Sequence, residues 1–327
     1  MTQTVQGRIL TSMEHRSYMR RRIGMRMPIL ALLLLSFPYS EINAESTQEE
    51  LRRELEILDN RSHDHTSFTQ GLEVWEGSIL ESSGLYGHSR LSEVNIQNGE
   101  VIRQISFDDS VFAEGITVRN NSVIVLTWRE GTAFEIDLDD FSIVGNYSYE
   151  GEGWGICYNG EHLVMSNGSS YLSFRDPESF EISHSVRVTI DGEGVTNLNE
   201  LECVGDIVYA NVWMDDSIIA INSTSGHVEF FAIASSLSIN QGQDRDEVLN
   251  GIAYDDSSGG FWITGKNWTE MYLVKFYIPE SDSASNDSPI TIQIVLLFTG
   301  MLVLSLIYSN IQRKDEPEKP NFKDYPQ

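Results

Sequence analysis

The chain has 327 residues and a formal net charge of −27, because it contains 49 acidic residues against 22 lysines and arginines. A negative surplus of this size repels phosphate backbones and anionic lipid headgroups, and it therefore argues against nucleic acid or an anionic lipid surface as a partner. We interpret it as a solvated acidic surface.

The first 61 residues are predicted to lie outside the main domain. A basic stretch at residues 20–26 precedes an apolar run at 29–37 that is too short to span a bilayer, and small or polar residues follow. This order predicts a secretory signal segment over residues 1–44, with an uncleaved membrane anchor as the alternative. Residues 45–61 contain a capped helix start with leucines four positions apart, which predicts a stalk helix or linker.

Residues 62–279 contain five copies of a short strand-like unit, and we call the first residue of each copy its head residue. Successive head residues are 44, 40, 45 and 51 positions apart, a period typical of β-propeller blades. Runs of β-branched and aromatic residues between Gly, Asn, Asp and Ser turns indicate an all-β fold. Since the segment allows roughly 44 residues for each blade, the sequence predicts a five-bladed β-propeller. The head residues are Gln70, Glu114, Trp154, Asn199 and Asn250.

A second series follows the head residues at a distance of fourteen positions. Two extra turn residues in the fifth copy shift its last member by two. Equivalent positions of successive blades converge around one axis, so we expect the head residues, Trp128, Trp213 and Lys266 to surround one pocket. The second series is Gly84, Trp128, Gly168, Trp213 and Lys266.

Two cysteines and seven glycosylation triplets bear on whether this domain is exported. Cys157 and Cys203 lie three and four residues after the head residues of adjacent copies. In an exported protein they could form a disulfide between neighbouring blades, and two buried free thiols are the alternative. Asn-x-Ser/Thr triplets are permissive glycosylation acceptors. They begin at Asn60, Asn120, Asn146, Asn167, Asn222, Asn267 and Asn286.

The C-terminal part predicts a membrane attachment. Residues 280–289 form a polar linker, and the next 19 residues, 290–308, carry no formal charge and match about one bilayer span. We predict a transmembrane helix there, with a buried core helix as the alternative. Arg313 and Lys314 follow at once, so residues 309–327 are expected in the cytoplasm. The repeats are then expected outside a cell membrane that the chain crosses once.

Glu114 is the only carboxylate among the head residues, and apolar neighbours are predicted for it. Phe112, Trp128 and Trp154 should flank it, which tends to raise a carboxyl pKa and suits a group that transfers protons. A glutamate that only hydrogen-bonds neighbouring strands or a channel water is the alternative.

Tryptophans concentrate at the same positions. Four that lie at or beside the two series predict an aromatic cage, with core filling as the alternative. Trp75 and Trp262, on strand bodies, are assigned to the core. The four cage candidates are Trp128, Trp154, Trp213 and Trp268.

Polar members of the two series offer contacts for a carboxamide or a carboxylate. Glu114, Asn199 and Asn250 could instead bind calcium through oxygen atoms, as in a calcium-dependent propeller hydrolase or lactonase. A non-catalytic surface propeller that binds a peptide is a further alternative. The stretch His63-Asp64-His65 lacks the other ligands of a zinc site and is interpreted as structural. The polar members are Gln70, Asn199, Asn250 and Lys266.

Ten short motifs follow one another across residues 62–279. They are HD at 63–64, FTQGL at 68–72, ESSGLYG at 81–87, FAEGITV at 112–118, LTW at 126–128, GEGWG at 151–155, LNELE at 198–202, YANVW at 209–213, LNGIAY at 249–254 and TGK at 264–266. In this order they resemble the plant-type glutaminyl-peptide cyclotransferases, also called glutamine cyclotransferases. Two positions depart from that family's pattern: Ala113 replaces a usual glycine, and Asn167 stands where Ser-Asp-Gly is common.

The resemblance implies a five-bladed propeller that converts the N-terminal glutamine of a peptide or protein into pyroglutamate and releases ammonia, without a metal or other cofactor. It implies that Glu114 is the general acid and base. We predict that Asn199 and Lys266 assist it, and we add Asn250 to the substrate-binding residues. A monomer is expected. The implied aromatic pocket is Phe68, Phe112, Trp128, Trp154 and Trp213, and the implied polar substrate contacts are Gln70, Asn199 and Lys266.

Overall fold

The computed structural model describes residues 49–239, 241 and 245–278. Contacts divide the chain into two compact units, residues 1–51 and 52–327, and the strands belong to the second unit. The predicted signal segment, the polar linker at 280–289, the transmembrane helix and the cytoplasmic tail lie outside the described residues. Within the described ranges, no helix is long and apolar enough to span a bilayer.

After strand β1 (Arg52–Ser62), three four-stranded antiparallel sheets follow one another along the chain. The first sheet contains β2 (Thr69–Trp75), β3 (Ser78–Ser83), β4 (Arg90–Asn95) and β5 (Val101–Ser106). The second contains β6 (Ala113–Arg119), β7 (Ser122–Thr127), β8 (Thr132–Asp137) and β9 (Ile143–Ser148). The third contains β10 (Ile156–Tyr158), β11 (Leu163–Met165), β12 (Tyr171–Arg175) and β13 (Ile182–Arg187). A two-stranded ribbon follows, formed by β14 (Thr189–Ile190) and β15 (Glu193–Gly194).

The next strands form one eight-stranded sheet with two halves. Strand β1 joins the halves, because it pairs in parallel with the last strand of the first half and antiparallel with the last strand of the second. The first half contains β16 (Leu198–Val204), β17 (Ile207–Val212), β18 (Ser217–Asn222) and β19 (Val228–Ile233). The second half contains β20 (Leu249–Asp255), β21 (Gly260–Gly265) and β22 (Glu270–Tyr277). A one-turn helix, α1 (Ser235–Ser238), lies between the halves in the sequence.

The prediction of a stalk helix or linker over residues 45–61 was wrong for residues 52–61, because they belong to strand β1. Leu51 and Leu55 have helical spacing, but the edges of β19 and β22 offer backbone groups that only a strand can pair. Leu55 also packs against the buried cluster of the second half. Tertiary pairing overrides the local helix signal, and the folded domain begins at Arg52.

The pairing of β1 with β22 also fixes where both strands leave the sheet. Ser62 is paired with Glu270, and Glu54 with Tyr277. Glu270 is the first residue of β22 and lies at the end of the strands where β21 ends and Lys266 follows. The start of β1 and the end of β22 therefore lie at the opposite end of the strands from Lys266.

Five buried apolar clusters of the described residues fill the interfaces between consecutive sheets or halves. One contains Leu80 of the first sheet and Ile116 of the second. Another contains Trp262 of β21 and Leu72 of β2, so the succession of sheets closes on itself. This all-β arrangement is consistent with a β-propeller. Trp262 is buried and Trp75 packs against a buried cluster, which confirms their assignment to the core.

The first strands of neighbouring sheets are connected at one repeated position, three residues after the head residue, which we call the latch position. A polar side chain there accepts a hydrogen bond from a backbone N–H of the next first strand, and this satisfies an amide that the sheet leaves unpaired. The pairs, with the accepting side chain first, are Glu73 and Val118, Thr117 and Tyr158 (3.0 Å), and Glu202 and Tyr254 (3.3 Å).

A disulfide takes the latch position of the third sheet. Cys157 of β10 is bonded to Cys203 of β16, across 46 positions of the sequence. The two alternatives left open for these cysteines are thus resolved in favour of the disulfide. It joins two first strands covalently at the place where other sheets use a hydrogen bond.

Candidate active site

A β-bulge lies at the head residue in four of the five first strands. In β6, Ala113 pairs with Thr127 and Ile116 with Val125, so Glu114 and its neighbour face a single residue of β7. The other three bulges lie at equivalent places. Because a bulge bends a strand and redirects the extra side chain, the head residues are released from the strict alternation of sheet faces. The head residues at the other three bulges are Gln70, Asn199 and Asn250.

Glycine after the head residue lets neighbouring first strands approach closely. A Cβ atom on Gly155 would lie 2.8 Å from the Cα atom of Glu200, closer than real Cβ contacts allow. The fourth copy has Glu200 in place of this glycine. Its buried carboxyl accepts hydrogen bonds from the backbone N–H groups of Leu72 (3.2 Å) and Ile252 (2.8 Å), and so connects three first strands.

The structure brings nine of the ten predicted site residues together around one pocket of about 190 Å³. Leu85 and Asp246 complete its lining and were not predicted. Leu85 directly follows Gly84 of the second series, so the spacing offered a signal for it. Asp246 precedes β20 in an irregular stretch that has no equivalent in the other copies. The nine residues are Phe68, Gln70, Phe112, Glu114, Trp128, Trp154, Asn199, Trp213 and Lys266.

Asn250 and Trp268 are corrections to the predicted pocket. Asn250 is fully buried behind Gln70 and does not line the pocket; its Nδ2 donates to the carbonyl of Thr69 (3.0 Å) and to Gln70 Oε1 (3.1 Å). Trp268 is fully buried in the core, where its Nε1 donates to the carbonyl of Glu247 (3.1 Å). The bulge turns Asn250 toward the neighbouring strand, and the turn after Lys266 carries Trp268 into the core.

Glu114 is held in place by a relay of two amides. Glu114 is 5% exposed, and its Oε1 accepts a hydrogen bond from Gln70 Nε2 at 3.0 Å. The other end of the Gln70 amide accepts from Asn250, as described above. Gln70 therefore has its amide fixed at both ends, and Asn250 orients a residue of the pocket without reaching the pocket itself.

The charges around Glu114 act in opposite directions. Burial raises its pKa well above the usual range, the Lys266 ammonium lowers it, and the Glu152 and Glu130 carboxylates raise it further. Burial lowers the pKa of Lys266, while Glu114 and Asp246 oppose this change. The pocket thus contains a carboxyl that keeps its proton to a higher pH than usual, in the field of a buried amine.

Five aromatic rings line the pocket, in two groups of contacts. Trp154 and Trp213 meet edge to face with ring centroids 5.6 Å apart. Phe112 lies 6.3 Å from Phe68 and 5.4 Å from Trp128, again by ring centroids. Such a wall excludes water and presents ring faces to a bound group.

Asn199 contributes an amide that is incompletely paired. The residue is 3% exposed and lines the pocket, and its buried Oδ1 has no hydrogen-bond partner among the described residues. Its backbone carbonyl is fixed, because it accepts from Ser166 Oγ at 2.6 Å. A buried oxygen without a donor favours a ligand that supplies an N–H group.

The structure confirms the structural interpretation of His63. Its Nδ1 faces the carbonyl of Trp268 (2.8 Å) and its Nε2 faces Glu81 Oε1 (2.9 Å), so both ring nitrogens meet acceptors. Burial lowers the pKa of His63, but the Glu81 carboxylate outweighs it and the net shift is upward. No group of three His, Cys, Asp or Glu side chains in the described part of the chain is placed to hold a metal ion. Asn250, one of the three residues considered as oxygen ligands for calcium, does not line the pocket.

Known proteins are similar to this chain in sequence and in fold. The glutamine cyclotransferase family matches residues 29–276. The glutaminyl-peptide cyclotransferase of Arabidopsis thaliana is 31% identical over 289 residues, which cover 84% of this chain and 90% of that protein. The crystal structure of the Myxococcus xanthus glutaminyl cyclase is similar at 31% identity and a TM-score of 0.66, and the match covers 69% of this chain and 97% of that one.

Proposed function

The chain belongs to the glutamine cyclotransferase family, and on this premise we propose that its pocket converts the N-terminal glutamine of a peptide or protein into pyroglutamate and releases ammonia. We include in this proposal a propeller of five blades. Three blades are the four-stranded sheets, and two are the halves of the eight-stranded sheet, with β1 as the outer strand of the fifth blade.

The observation that carries the proposal is the position of Glu114. The reaction moves one proton from an attacking amine to a departing amine, so it needs a single group that accepts a proton and returns it. Glu114 is a carboxyl on the wall of an apolar pocket, held by Gln70 and raised in pKa by burial. These properties suit a group that exchanges a proton near neutral pH.

The proposed reaction proceeds in two steps on one substrate residue. The α-amine nitrogen attacks the carbon of the γ-carboxamide, a carbon–nitrogen bond forms, and the Glu114 carboxylate accepts one amine proton. The tetrahedral intermediate then collapses, the bond to the amide nitrogen breaks, and Glu114 returns the proton so that ammonia leaves. Holding the two groups in the reactive rotamer contributes an orientational advantage, because attack is intramolecular.

The remaining pocket residues support these steps. A free α-amine has a pKa of about 7.7 to 8.0, and the apolar wall and the buried Lys266 both favour its neutral, nucleophilic form. The Nζ atom of Lys266 lies 4.7 Å from the centre of the Phe68 ring. We propose that this ammonium group stabilises the oxygen of the tetrahedral intermediate. We propose that the unpaired Oδ1 of Asn199 accepts a hydrogen bond from an N–H group of the substrate.

The test is ammonia release from a Gln-initial peptide, with pyroglutamate detected by mass spectrometry. We expect Glu114→Gln to lower kcat/KM by about 100-fold or more, as loss of a general acid and base typically does, with the circular dichroism spectrum and melting temperature retained. Glu150→Gln, the same change at an exposed residue, should behave as the wild type.

Three outcomes would contradict the proposal in different ways. Near-wild-type activity of Glu114→Gln would remove Glu114 from the mechanism. Activity that is lost in a chelator and restored by calcium would favour the propeller hydrolase. Peptide binding without any turnover by the wild type would favour a non-catalytic binding protein.

We further propose that the enzyme is a monomer attached to the cell membrane by residues 290–308, with the pocket on the extracytoplasmic side. The uncharged stretch and the positive residues that follow it support this. The disulfide between Cys157 and Cys203 supports an exported domain, because disulfides persist in oxidising compartments.

A further inference from the structure

One carboxylate oxygen connects two tryptophans of the pocket wall. Glu152 Oε2 accepts a hydrogen bond from Trp128 Nε1 at 3.0 Å and another from Trp154 Nε1 at 3.0 Å. The two indoles belong to different sheets, since Trp128 follows β7 and Trp154 precedes β10. The backbone N–H of Gly153 also donates to the carbonyl of Trp128 at 2.9 Å, which brings the two segments together.

The second oxygen of Glu152 has its own partner. Arg129 Nε donates to Glu152 Oε1 at 2.9 Å, and the guanidinium of Arg129 lies 3.6 Å from the centre of the Trp128 ring. Trp128 is therefore bound at its N–H edge by Glu152 and covered on one face by Arg129. Partial burial raises the pKa of Glu152, but the hydrogen bonds from Trp154, Arg129 and Trp128 outweigh it, so its pKa is lowered.

This carboxylate lies at a gap in the aromatic wall. Trp154 makes its ring contact with Trp213, and Trp128 makes its ring contact with Phe112. Among the described residues, no ring contact joins Trp128 to Trp154. A charged acceptor shared by both indoles is the connection that fixes their ring planes relative to each other, and charge-assisted hydrogen bonds are about twice as strong as neutral ones.

We propose that Glu152 is a positioning residue, which fixes Trp128 and Trp154 as the two walls that enclose the substrate glutamine. This inference rests on the proposed function, because it concerns the same pocket. Glu152 does not itself line the cavity, so it acts on the substrate through the indoles. Binding of the glutamine side chain should then depend on Glu152 more strongly than the chemical step does.

Glu152 also acts on Glu114 through space. Its negative charge is one of the causes that keep the pKa of Glu114 high, together with burial and Glu130 and against Lys266. Glu114 accepts a proton in its ionised form, so the acid limb of the rate profile follows this pKa. Removing the charge of Glu152 lowers the pKa of Glu114, and the acid limb moves to lower pH. A residue with only a structural role would not cause this shift.

The experiment compares Glu152→Ala, Glu152→Gln and Glu150→Ala with the wild type, using a Gln-initial peptide. We expect Glu152→Ala to raise KM by roughly tenfold or more, the range for losing a hydrogen bond to a charged group, with a smaller change in kcat. Glu152→Gln keeps an acceptor oxygen but loses the charge, so its KM should rise less while its acid limb shifts as in Glu152→Ala. Glu150→Ala, an exposed neighbour, should match the wild type in both.

Tryptophan fluorescence gives a readout that does not depend on turnover. In Glu152→Ala the two indoles lose their shared acceptor, so we expect a red-shifted emission and stronger quenching by acrylamide, with Glu150→Ala unchanged. If Glu152→Ala does not fold, the test is the acid limb of Glu152→Gln, which loses the same charge. A wild type that releases no ammonia contradicts the proposed function alone. Unchanged fluorescence in the variant, or an unchanged KM and acid limb in an active enzyme, overturns the role of Glu152.

Discussion

The pKa and the orientation of Glu114 are set by the residues that surround it in the folded structure. Burial and two nearby carboxylates raise its pKa, and one buried lysine opposes them. The amide of Gln70 holds its orientation, and Asn250 holds that amide in turn. The same glutamate on an exposed strand would titrate near its ordinary value and would not retain a proton for the departing amine.

Lys266 provides a test of this balance at the residue scale. In the wild type, kcat/KM should fall as pH drops through the raised pKa of Glu114. Replacing Lys266 by Met removes the cation that lowers this pKa, so the acid limb should move to higher pH. The maximal rate should also fall, by about 10² to 10³ if Lys266 stabilises the intermediate as an oxyanion donor does.

The measurement is the pH profile of kcat/KM for one Gln-initial peptide. Because the substrate amine titrates identically with every variant, only the enzyme's own limb can move. Lys275→Met on β22, outside the pocket lining, is the matched control and should leave the profile unchanged. An acid limb that stays in place or moves to lower pH in Lys266→Met would contradict the arrangement.

Seven pocket residues could be predicted from the repeat, because it gives them equivalent places around one axis. Phe112 was predicted as a neighbour of Glu114, and Phe68 only through the family resemblance. The same spacing placed Asn250 in the pocket wrongly, since spacing does not show that its amide turns toward Gln70. Trp268 was misplaced because a turn after Lys266 directs it into the core. Asp246 could not be found, because the stretch before β20 has no counterpart in the other copies.

At the scale of strands, the residue type at the latch position determines how the first strands of neighbouring sheets are joined. A glutamate or threonine at the latch position accepts a hydrogen bond from the next first strand, and a cysteine there forms a disulfide instead. The β1 strand was not predictable from local pattern, because its leucine spacing suits a helix. Its strand form depends on two sheet edges that are far away in the sequence.

The disulfide should therefore contribute to stability and not to catalysis. We expect Cys157→Ala with Cys203→Ala to lose about 2–4 kcal/mol of unfolding free energy, the typical range for a native disulfide. For a domain of this size that corresponds to roughly 4–16 °C in melting temperature. Neither cysteine lines the pocket, so kcat/KM at 25 °C should remain near the wild-type value.

Differential scanning calorimetry with and without reductant measures the effect. Reduced wild type should melt at the temperature of the double variant, and reductant should not change the double variant. Equal melting temperatures for the oxidised wild type and the double variant would show that the disulfide adds nothing to the packing between β10 and β16.

At the scale of the whole molecule, the apolar clusters close the sheets into a ring, and β1 completes the last interface. The all-β class and the repeat period were predictable, because five copies give the same signal. The start of the domain was not, since closure depends on a strand that lies before the first repeat.

The proposed membrane attachment is also a property of the whole chain. We expect the full chain to sediment with membranes and to resist extraction by high salt and alkaline carbonate. A chain that ends at residue 279 should be released in soluble form with unchanged kcat/KM, because the pocket residues precede this position. Fractionation followed by the ammonia assay measures both. Full-length protein in the soluble fraction would contradict the attachment.

The pairing of β1 with β22 has a practical meaning for how the enzyme is handled. The start of β1 and the end of β22 lie at the opposite end of the strands from Lys266, with Glu54 beside Tyr277. An affinity tag, a display scaffold or a solid support joined directly before Arg52 or after Tyr277 would therefore be attached at the strand ends opposite to Lys266. A fusion at these strand ends keeps the attachment point away from Lys266, a residue of the pocket lining.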